Sequence, residues 1–314
     1  MTQLRSRTRA ILAARGLRPR KARGQHFLVD VRVRDAIVAA AGVGPGDTVV
    51  EIGPGTGALT EALLRCGARV FAVELDRELA AALPEALGQP PGLTVWVADA
   101  LRCDFGAHLR DHPACGRIRV VANIPYYITT PLILRLLGCR ALFSTLHLTV
   151  QREVAERIGA RPGTKAYGAL TLACQYRADT RPVLAIPRSA FHPIPEVDST
   201  LVRFDLLDAP RVSVSSPARL FRVIRAAFGQ RRKTLRNALH GGGWSITALE
   251  AALDACGIAG QRRGETLTLK EFARLSEALP EPKTADSESD RDSDNDSQTG
   301  SQFDRCRILL SDIA

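Results

Sequence analysis

The sequence lacks two features that would indicate a membrane or secreted protein. No apolar run approaches the roughly 18 residues that a membrane-spanning helix needs, and none of the seven cysteines belongs to a C-x-x-C pair. The cysteines are scattered and odd in number, so a disulfide framework is not expected. A reducing cytoplasm fits this pattern better than an oxidising compartment.

Acidic residues are missing from two long segments. Residues 1–24 hold eight basic residues and no acidic one, and residues 219–236 hold seven basic residues and no acidic one. The chain carries a formal net charge of +10; because residues 281–300 hold seven acidic and two basic residues, the remainder carries +15. Dense clusters of arginine indicate a polyanionic partner, most often nucleic acid, although charge that only aids solubility is the alternative.

The N-terminal segment has a second interpretation. An Arg-rich and acid-poor start is also typical of a mitochondrial transit peptide. The segment has little serine, however, and no clear break separates it from "GQHFLVD" at 24–30. The transit peptide is therefore the minor alternative to a basic arm.

Short β-branched runs alternate with longer Ala- and Leu-rich runs through the first two hundred residues. This alternation predicts βαβ units and a mainly parallel sheet with helices on both faces, an α/β fold of the Rossmann-like type. Later strands are expected in "CQYRADTRPVLAIP" and "STLVRFDLL". The strands of its first part are predicted at 47–53, 68–75, 93–99, 117–123 and 144–151.

From about residue 207 the pattern becomes helical, which predicts a small C-terminal all-helical domain. Helices are expected around 217–228 and 230–240, and the pairs Thr247–Glu250 and Thr268–Glu271 predict two more helix starts with capping boxes. The polar, acidic tail is predicted to be disordered. The predicted parts are a basic arm at 1–24, an α/β domain at 25–206, a helical domain at 207–280 and an acidic tail at 281–314.

A glycine-rich loop follows the first of the five strands. "VVEIGPGTGALTE" places Gly53, Gly55 and Gly57 between a strand and a helix, where backbone N–H groups can approach a ligand closely. A tight turn with no ligand is the alternative for the loop alone. Glu74 and Asp99 end the next two strands, however, and carboxylates at these places can bind a ribose and an adenine amino group. The sequence therefore predicts an adenosine-containing cofactor.

The spacing of the glycines distinguishes between adenosine cofactors. A dinucleotide dehydrogenase favours G-x-G-x-x-G, whereas this loop reads G-x-G-x-G. A second mononucleotide-binding half is also missing. The pattern favours S-adenosyl-L-methionine, and an NAD-dependent oxidoreductase is a weaker alternative.

The fourth strand ends in "ANIPYYITT", which is unsuited to a strand or a helix interior. The side-chain oxygen of Asn123 and the carbonyl of Ile124 are suited to accept hydrogen bonds from an exocyclic base amine. Pro125 fixes its own backbone and helps to hold that carbonyl outward. Tyr126 offers a ring on which a flipped-out base can stack, while the role of Tyr127 stays open. We therefore predict methyl transfer to a base amine, with a simple turn as the alternative.

The motifs together resemble one known family. "GQHFLVD", "VVEIGPGTGALT", "VVANIPYYITTPLI", "FHPIPEVDSTLVRF", "FGQRRKTLRNAL" and "RRGETLTLKEFARLSEAL" are similar to the bacterial small-subunit rRNA adenine N6-dimethyltransferases of the KsgA or RsmA type, from about Leu17 to Leu279. Many members have Asn where this chain has His26. The resemblance implies that the cofactor-binding residues are His26, Leu28, Gly53, Gly55, Glu74, Asp99 and Asn123, and that the catalytic residues are Asn123, Ile124, Pro125 and Tyr126.

The resemblance also implies a substrate and a partner. Members dimethylate two adjacent adenosines in a hairpin loop near the 3′ end of small-subunit rRNA, so we expect a cytoplasmic monomer that acts on the small ribosomal subunit. A large-subunit rRNA dimethyltransferase and a non-catalytic RNA-binding assembly factor are the alternatives. The residues predicted to grip RNA phosphates are Arg219, Arg222, Arg225, Arg231, Arg232, Lys233 and Arg236.

One cluster has the spacing of a metal site. His108, His112 and Cys115 lie close in sequence, but no fourth zinc ligand is near them. We therefore predict no metal.

Overall fold

The computed structural model describes residues 3–17, 24–110, 118–230 and 232–282. The described residues fall into two compact units, the first within Met1–Gly159 and Ala178–Asp208, the second within Ala160–Arg177 and Ala209–Ala314. The predicted acidic tail lies outside the described residues from position 283 onward.

The division between the units differs from the predicted boundary, which placed all of 25–206 in one domain. Residues 160–177 belong to the helical unit because their polar groups are bound there. The N–H of Gly163 donates to the carbonyl of Glu265 over 2.7 Å, and the hydroxyl of Tyr167 donates to the carbonyl of Leu267 over 2.8 Å. Cys174–Arg177, predicted as the start of a strand, are instead the end of a helix.

The first unit is built on a seven-stranded sheet. Its strands are β2 (Thr48–Ile52), β3 (Arg69–Glu74), β4 (Leu93–Val97), β5 (Ile118–Asn123), β6 (Phe143–Gln151), β7 (Ala178–Ile186) and β9 (Ser199–Leu206). Their order is β4-β3-β2-β5-β6-β9-β7. The five strands from β4 to β6 are parallel, while β9 is antiparallel to both β6 and β7. The mainly parallel α/β sheet predicted from the sequence is confirmed.

Two very short strands, β1 (Phe27–Leu28) and β8 (Phe191–His192), pair in an antiparallel manner outside the main sheet. The helices of this unit are α1 (Gln3–Ala14), α2 (Val31–Ala41), α3 (Ala58–Arg65), α4 (Arg77–Ala86), α5 (Phe105–Leu109), α6 (Thr129–Gly138) and α7 (Arg152–Ile158). Val49, Val70 and Val120, on the neighbouring strands β2, β3 and β5, are fully buried because helices cover both faces of the sheet.

The second unit is helical in its described part. Its helices are α8 (Ala169–Arg177), α9 (Pro217–Gly229), α10 (Leu235–His240), α11 (Ile246–Cys256) and α12 (Leu269–Ala278). The long apolar face of α9 packs against α10 and α12 and buries Leu220, Phe221 and Ile224.

Capping chemistry determines where two of these helices begin. At Thr268 both halves of the predicted capping box with Glu271 are present, so that prediction is confirmed. The start predicted at Thr247 is wrong, because the hydroxyl of Ser245 caps α11 by accepting from the N–H of Ala248. Glu250 therefore lies beyond the third helical position, and it pairs with Arg236 instead.

Within the described ranges, the helices are all too short or too polar to span a lipid bilayer.

Candidate active site

The carboxyl ends of β2, β3 and β5 meet at one cavity. These strands are neighbours in a parallel sheet, so the residues that follow them emerge on the same edge. Of the residues predicted from the sequence, those that line the cavity are His26, Leu28, Gly53, Gly55, Glu74, Asn123, Ile124, Pro125 and Tyr126. Residues distant in the chain are thus brought together around a single space.

The glycine loop needs glycine for steric reasons. Gly53, Gly55 and Gly57 have φ angles of 67°, 55° and 81°, in the left-handed region that other residues avoid. A Cβ atom on Gly55 would lie 2.9 Å from the Phe27 ring, and one on Gly57 would lie 2.6 Å from the Leu83 side chain. The loop therefore passes close to its surroundings on two sides before α3 begins.

The carboxylate of Glu74 is fixed at the end of β3. It accepts hydrogen bonds from the N–H of Gly55 over 3.3 Å and from the N–H of Asp76 over 3.0 Å. Burial raises the pKa of this carboxyl, and the two backbone donors oppose that rise. Glu74 thus links the glycine loop to the second strand end and presents a carboxylate to the cavity.

A second carboxyl group in the cavity, Glu51 on β2, was not among the predicted site residues. Its side chain is buried, and its Oε2 atom has no hydrogen-bond partner within the described residues. Burial, together with the nearby Glu74 carboxyl, raises the pKa of Glu51 to about 8, although hydrogen bonding to Thr60 opposes the rise. An acidic residue inside the apolar run "VVEI" was the signal that could have revealed it, because such a residue is costly to bury without a purpose.

Asp99, which the sequence predicted with the others, is not among the residues that line this cavity in the described chain. Its carboxylate accepts from the N–H of Leu101 over 2.9 Å, and its carbonyl accepts from the N–H groups of Arg102 and Cys103. In the structure Asp99 therefore caps the turn after β4. Its contact with an adenine stays a prediction.

Asn123, the last residue of β5, is oriented by the segment before β1. Its Nδ2 atom donates to the carbonyl of His26 over 2.9 Å. The amide nitrogen is thereby committed to the protein, so its oxygen is the group suited to meet an incoming amine. The N–H of Ile124 donates to the carbonyl of Thr149 over 3.4 Å, which ties the next residue to β6.

Tyr126 begins a short 3₁₀ turn and is held at both ends. Its hydroxyl bonds to the hydroxyl of Ser199 over 2.8 Å, and its ring centroid lies 5.4 Å from that of His26. Burial raises the pKa of the Tyr126 phenol. Tyr127, whose role the sequence left open, is 39% exposed and does not pack inward.

The segment "GQHFL" is anchored by the later segment "FHPIP". Phe27 pairs with His192 and Leu28 with Phe191 across β1 and β8, and Nδ1 of His26 lies 2.8 Å from the carbonyl oxygen of Pro193. No spacing pattern in the sequence predicts this pairing, because it joins residues more than 160 positions apart. It explains how an N-terminal segment reaches the ends of β2 and β5.

The side chains predicted to bind RNA differ from one another in exposure and in whether they form ion pairs. Arg222 pairs with Glu281 over 3.0 Å and Arg236 with Glu250 over 2.8 Å. Arg219 is partly buried and lies 3.8 Å from Glu277. The remaining predicted cations are Arg225, which is half-buried, Arg232 and Lys233, which are exposed, and Arg231, which lies outside the described residues.

The described ranges contain no cluster of three or more His, Cys, Asp or Glu side chains placed to hold a metal ion. Two members of the sequence cluster, His112 and Cys115, lie outside those ranges. Nδ1 of His108 lies 2.9 Å from the carbonyl oxygen of Asp104, and its ring packs 4.8 Å from that of Trp96. His108 is thus accounted for by local packing.

Two solved structures resemble this chain over most of its length. A dimethyladenosine transferase from Plasmodium falciparum is 26% identical and superposes with a TM-score of 0.67, covering 80% of this chain and 96% of the other. The 23S rRNA methyltransferase ErmE is 27% identical with a TM-score of 0.59, covering 81% and 99%. The Rossmann-like sheet is thus that of known RNA methyltransferases.

Curated relatives are closer in sequence. Proteins named ribosomal RNA small subunit methyltransferase A, from Moorella thermoacetica and Shouchella clausii, are 48% and 43% identical over 278 residues, which span 87% of this chain and 96% and 94% of theirs. The model of the ribosomal RNA adenine dimethylase family matches residues 16–280. That match extends across both units, and the chain therefore belongs to the ribosomal RNA adenine dimethylase family.

Proposed function

We propose that the protein dimethylates the N6 amino groups of two adjacent adenosines in the 3′-terminal hairpin loop of small-subunit rRNA. It acts as a cytoplasmic monomer on the small ribosomal subunit during its assembly. The observation that carries the proposal is the orientation of Asn123, whose amide nitrogen is bound to the carbonyl of His26. The relatives at 43–48% identity bear the name of small-subunit enzymes, which supports this choice of substrate.

The cavity fits S-adenosylmethionine, the methyl donor of this family. The amino acid end of the donor carries an α-ammonium group, and the unpartnered Oε2 of buried Glu51 is an acceptor that such a group would satisfy. The donor also carries a ribose, which the fixed carboxylate of Glu74 is suited to accept. When bound, it supplies a methyl group on a positively charged sulfur.

The protein's part in the transfer is to position the target amine. The lone pair of an adenine N6 atom is delocalised into the ring, so the amine is a weak nucleophile. If the Asn123 oxygen and the Ile124 carbonyl accept the two N–H hydrogens, they draw the amine toward a tetrahedral geometry, which localises the lone pair on the nitrogen. Positioning of this kind supplies much of the rate enhancement in enzymes.

Tyr126 and its neighbours complete the pocket for the base. The Ser199 contact holds the Tyr126 ring at its hydroxyl end, so the ring is a firm surface for a base extruded from the hairpin. A strong general base is not needed, because the methylated amine becomes acidic and loses its proton to solvent.

Methyl transfer from radiolabelled S-adenosylmethionine to under-methylated small subunits tests the proposal. Nucleoside analysis should yield N6,N6-dimethyladenosine, with two modified nucleosides per small subunit. Absence of label from the small subunit, with cofactor binding intact, would contradict the proposed substrate.

A second candidate is a large-subunit rRNA dimethyltransferase, which the likeness to ErmE favours. Primer extension along both rRNAs from a strain that lacks the gene separates the two. The small-subunit function predicts loss of the block near the 3′ end of small-subunit rRNA. Loss of a block in large-subunit rRNA alone would establish the alternative.

A third candidate is a non-catalytic RNA-binding assembly factor. The convergence of Gly53, Glu74 and Asn123 on one cavity counts against it, since binding RNA alone does not need these groups. Calorimetry with S-adenosylmethionine tests this directly, because a protein that only binds RNA should show no cofactor binding.

A further inference from the structure

Helix α1 precedes the part of the chain that the family model matches, which begins at residue 16. Its buried residues are Leu4, Thr8 and Leu12, spaced four apart, so they form one stripe along the helix. The helix therefore packs against the rest of the first unit through one face.

The centre of this stripe contacts the glycine loop. The hydroxyl of Thr8 lies 3.2 Å from that of Thr56, and both threonines are almost fully buried. Thr56 stands between Gly55 and Gly57 and lines the cofactor cavity. A side chain of α1 thus bonds to the loop from which the cofactor site is built.

The end of the stripe supports a second wall of the cavity. Leu12 forms a small apolar cluster with Phe27 and Leu79, and both of these partners line the cavity. The Phe27 ring lies directly over Gly55, where an added Cβ would approach it to 2.9 Å. Leu12 therefore backs the ring that closes this side of the cavity.

Ion pairs fasten the same helix to α3 and α4, which follow the glycine loop and β3. Arg7 pairs with Glu61 on α3 over 3.0 Å and donates to the carbonyl of Ala86 at the end of α4 over 2.9 Å. Arg15, the residue that follows α1, pairs with Glu85 on α4. The helix thereby bridges the two helices that support the cofactor-binding strand ends.

The helix stands behind the cavity wall and not inside the cavity. Thr56, Phe27 and Leu79 are among the lining residues, whereas α1 contributes none of the lining found in the described chain. A helix in this place supports the wall without competing for the space that a ligand needs.

We propose that α1 is a positioning element for the cofactor site, which holds Thr56 and Phe27 in place through Thr8 and Leu12 and so slows cofactor release. The proposal depends on the family's methyl donor for the identity of the ligand. It assigns a role in cofactor binding to a segment that the sequence indicated only as a basic arm.

Binding of S-adenosylhomocysteine, measured by calorimetry and by stopped-flow displacement, tests the proposal. Deletion of residues 2–14 should raise Kd about tenfold or more, mainly through a faster off-rate, and Leu12→Ala should act in the same direction. Thr8→Val should raise Kd about fivefold, the effect of one hydrogen bond, because it leaves the Thr56 hydroxyl buried without this partner. Thr8→Ser, which keeps the hydroxyl, should restore wild-type binding.

The matched control is Ser6→Ala, at an exposed position of the same helix. Thermal unfolding without ligand and the KM for RNA are measured for every variant. Lower melting temperatures with an unchanged Kd would show a merely structural helix and overturn the proposal, and so would tighter binding after deletion. Failure of the wild-type protein to bind the ligand would instead contradict the proposed function.

Discussion

The residues at the strand ends and the arginines of the helical unit are held in the structure in different ways. At the strand ends, backbone geometry and partly buried hydrogen bonds fix each group: Asn123 to His26, Tyr126 to Ser199, and Glu74 to Gly55. The predicted cations lie on α9, on α10 and in the segment between them, and some of them pair with acidic neighbours. The strand ends thus hold a few groups in defined positions, whereas the helical unit carries positive charge spread over several side chains.

This difference has consequences for substitutions. No neighbouring side chain can replace a group that is held in one position, so its removal should strongly lower the rate of the chemical step. A charge that is one of several, and that already has a partner of opposite sign, should affect only RNA affinity and only slightly.

Asn123→Ala should lower kcat by at least about a hundredfold, because it removes one of two acceptors for the target amine. The fold should persist, since Asn123 is only partly buried at the end of β5. Single-turnover methylation of under-methylated small subunits measures the effect. Asn237→Ala, on the exposed face of α10, is the matched control and should keep the wild-type kcat.

A kcat for Asn123→Ala within a few-fold of wild type would contradict the mechanism. Such a result would mean that Asn123 can be replaced with as little effect as a surface charge. The two regions would then not differ in their sensitivity to substitution.

Tyr126→Ala should weaken methylation by about tenfold or more, since stacking on an aromatic ring is worth roughly 1–3 kcal/mol per base. Tyr126→Phe keeps the ring and loses only the bond to Ser199, so its loss should be about fivefold or less. Both variants are compared by kcat/KM. Equal losses in the two would indicate that the hydroxyl, and not the ring, is what matters.

Glu51 should make stability depend on pH. Burial raises its pKa to about 8, whereas an unfolded chain has the ordinary value near 4.5. Between these values the folded state holds a proton that the unfolded state has lost, so this contribution to stability is present below pH 4.5 and is lost as the pH rises to about 8. Glu51→Gln should remove it.

The melting temperature of ligand-free wild type should therefore fall relative to Glu51→Gln as the pH rises from 5 to 8. Taking the difference between the two proteins removes the effect of other titrating groups such as His147, whose pKa burial lowers to about 4. A difference that stays constant with pH would show that Glu51 is ionised throughout.

The sequence was sufficient to predict that the strand-end residues lie close together, for a physical reason, whereas their roles stay predictions. Strand periodicity locates the ends of β2, β3 and β5, and parallel pairing then brings Gly53, Glu74 and Asn123 to one edge without further information. The sequence could not predict that Asp99 caps its own turn, because that contact depends on the local backbone conformation.

Contacts between segments far apart in the chain could also not be predicted from the sequence. The β1–β8 pairing and the docking of α1 depend on tertiary packing, which no periodicity records. The ion pairs of Arg222 and Arg236 were missed for the same reason: their partners lie 59 and 14 positions away. Charge counting measures how many cations a segment has, but it does not reveal which of them are already paired.

The smallest effects are expected among these cations. Arg232 and Lys233 are exposed and form no ion pair with the rest of the described chain, so replacing both with Ala should reduce the salt dependence of RNA binding, the slope of log K against log salt concentration, by about 1 to 2. Arg222→Ala should change the slope less, because Glu281 already offsets its charge. Fluorescence titrations of a small-subunit hairpin over a range of salt concentrations measure both, with Arg140→Ala on the first unit as a control. If Arg222→Ala proved as costly as the double substitution, the ion pair must open when RNA binds, and the paired arginines would count fully in the RNA-binding surface.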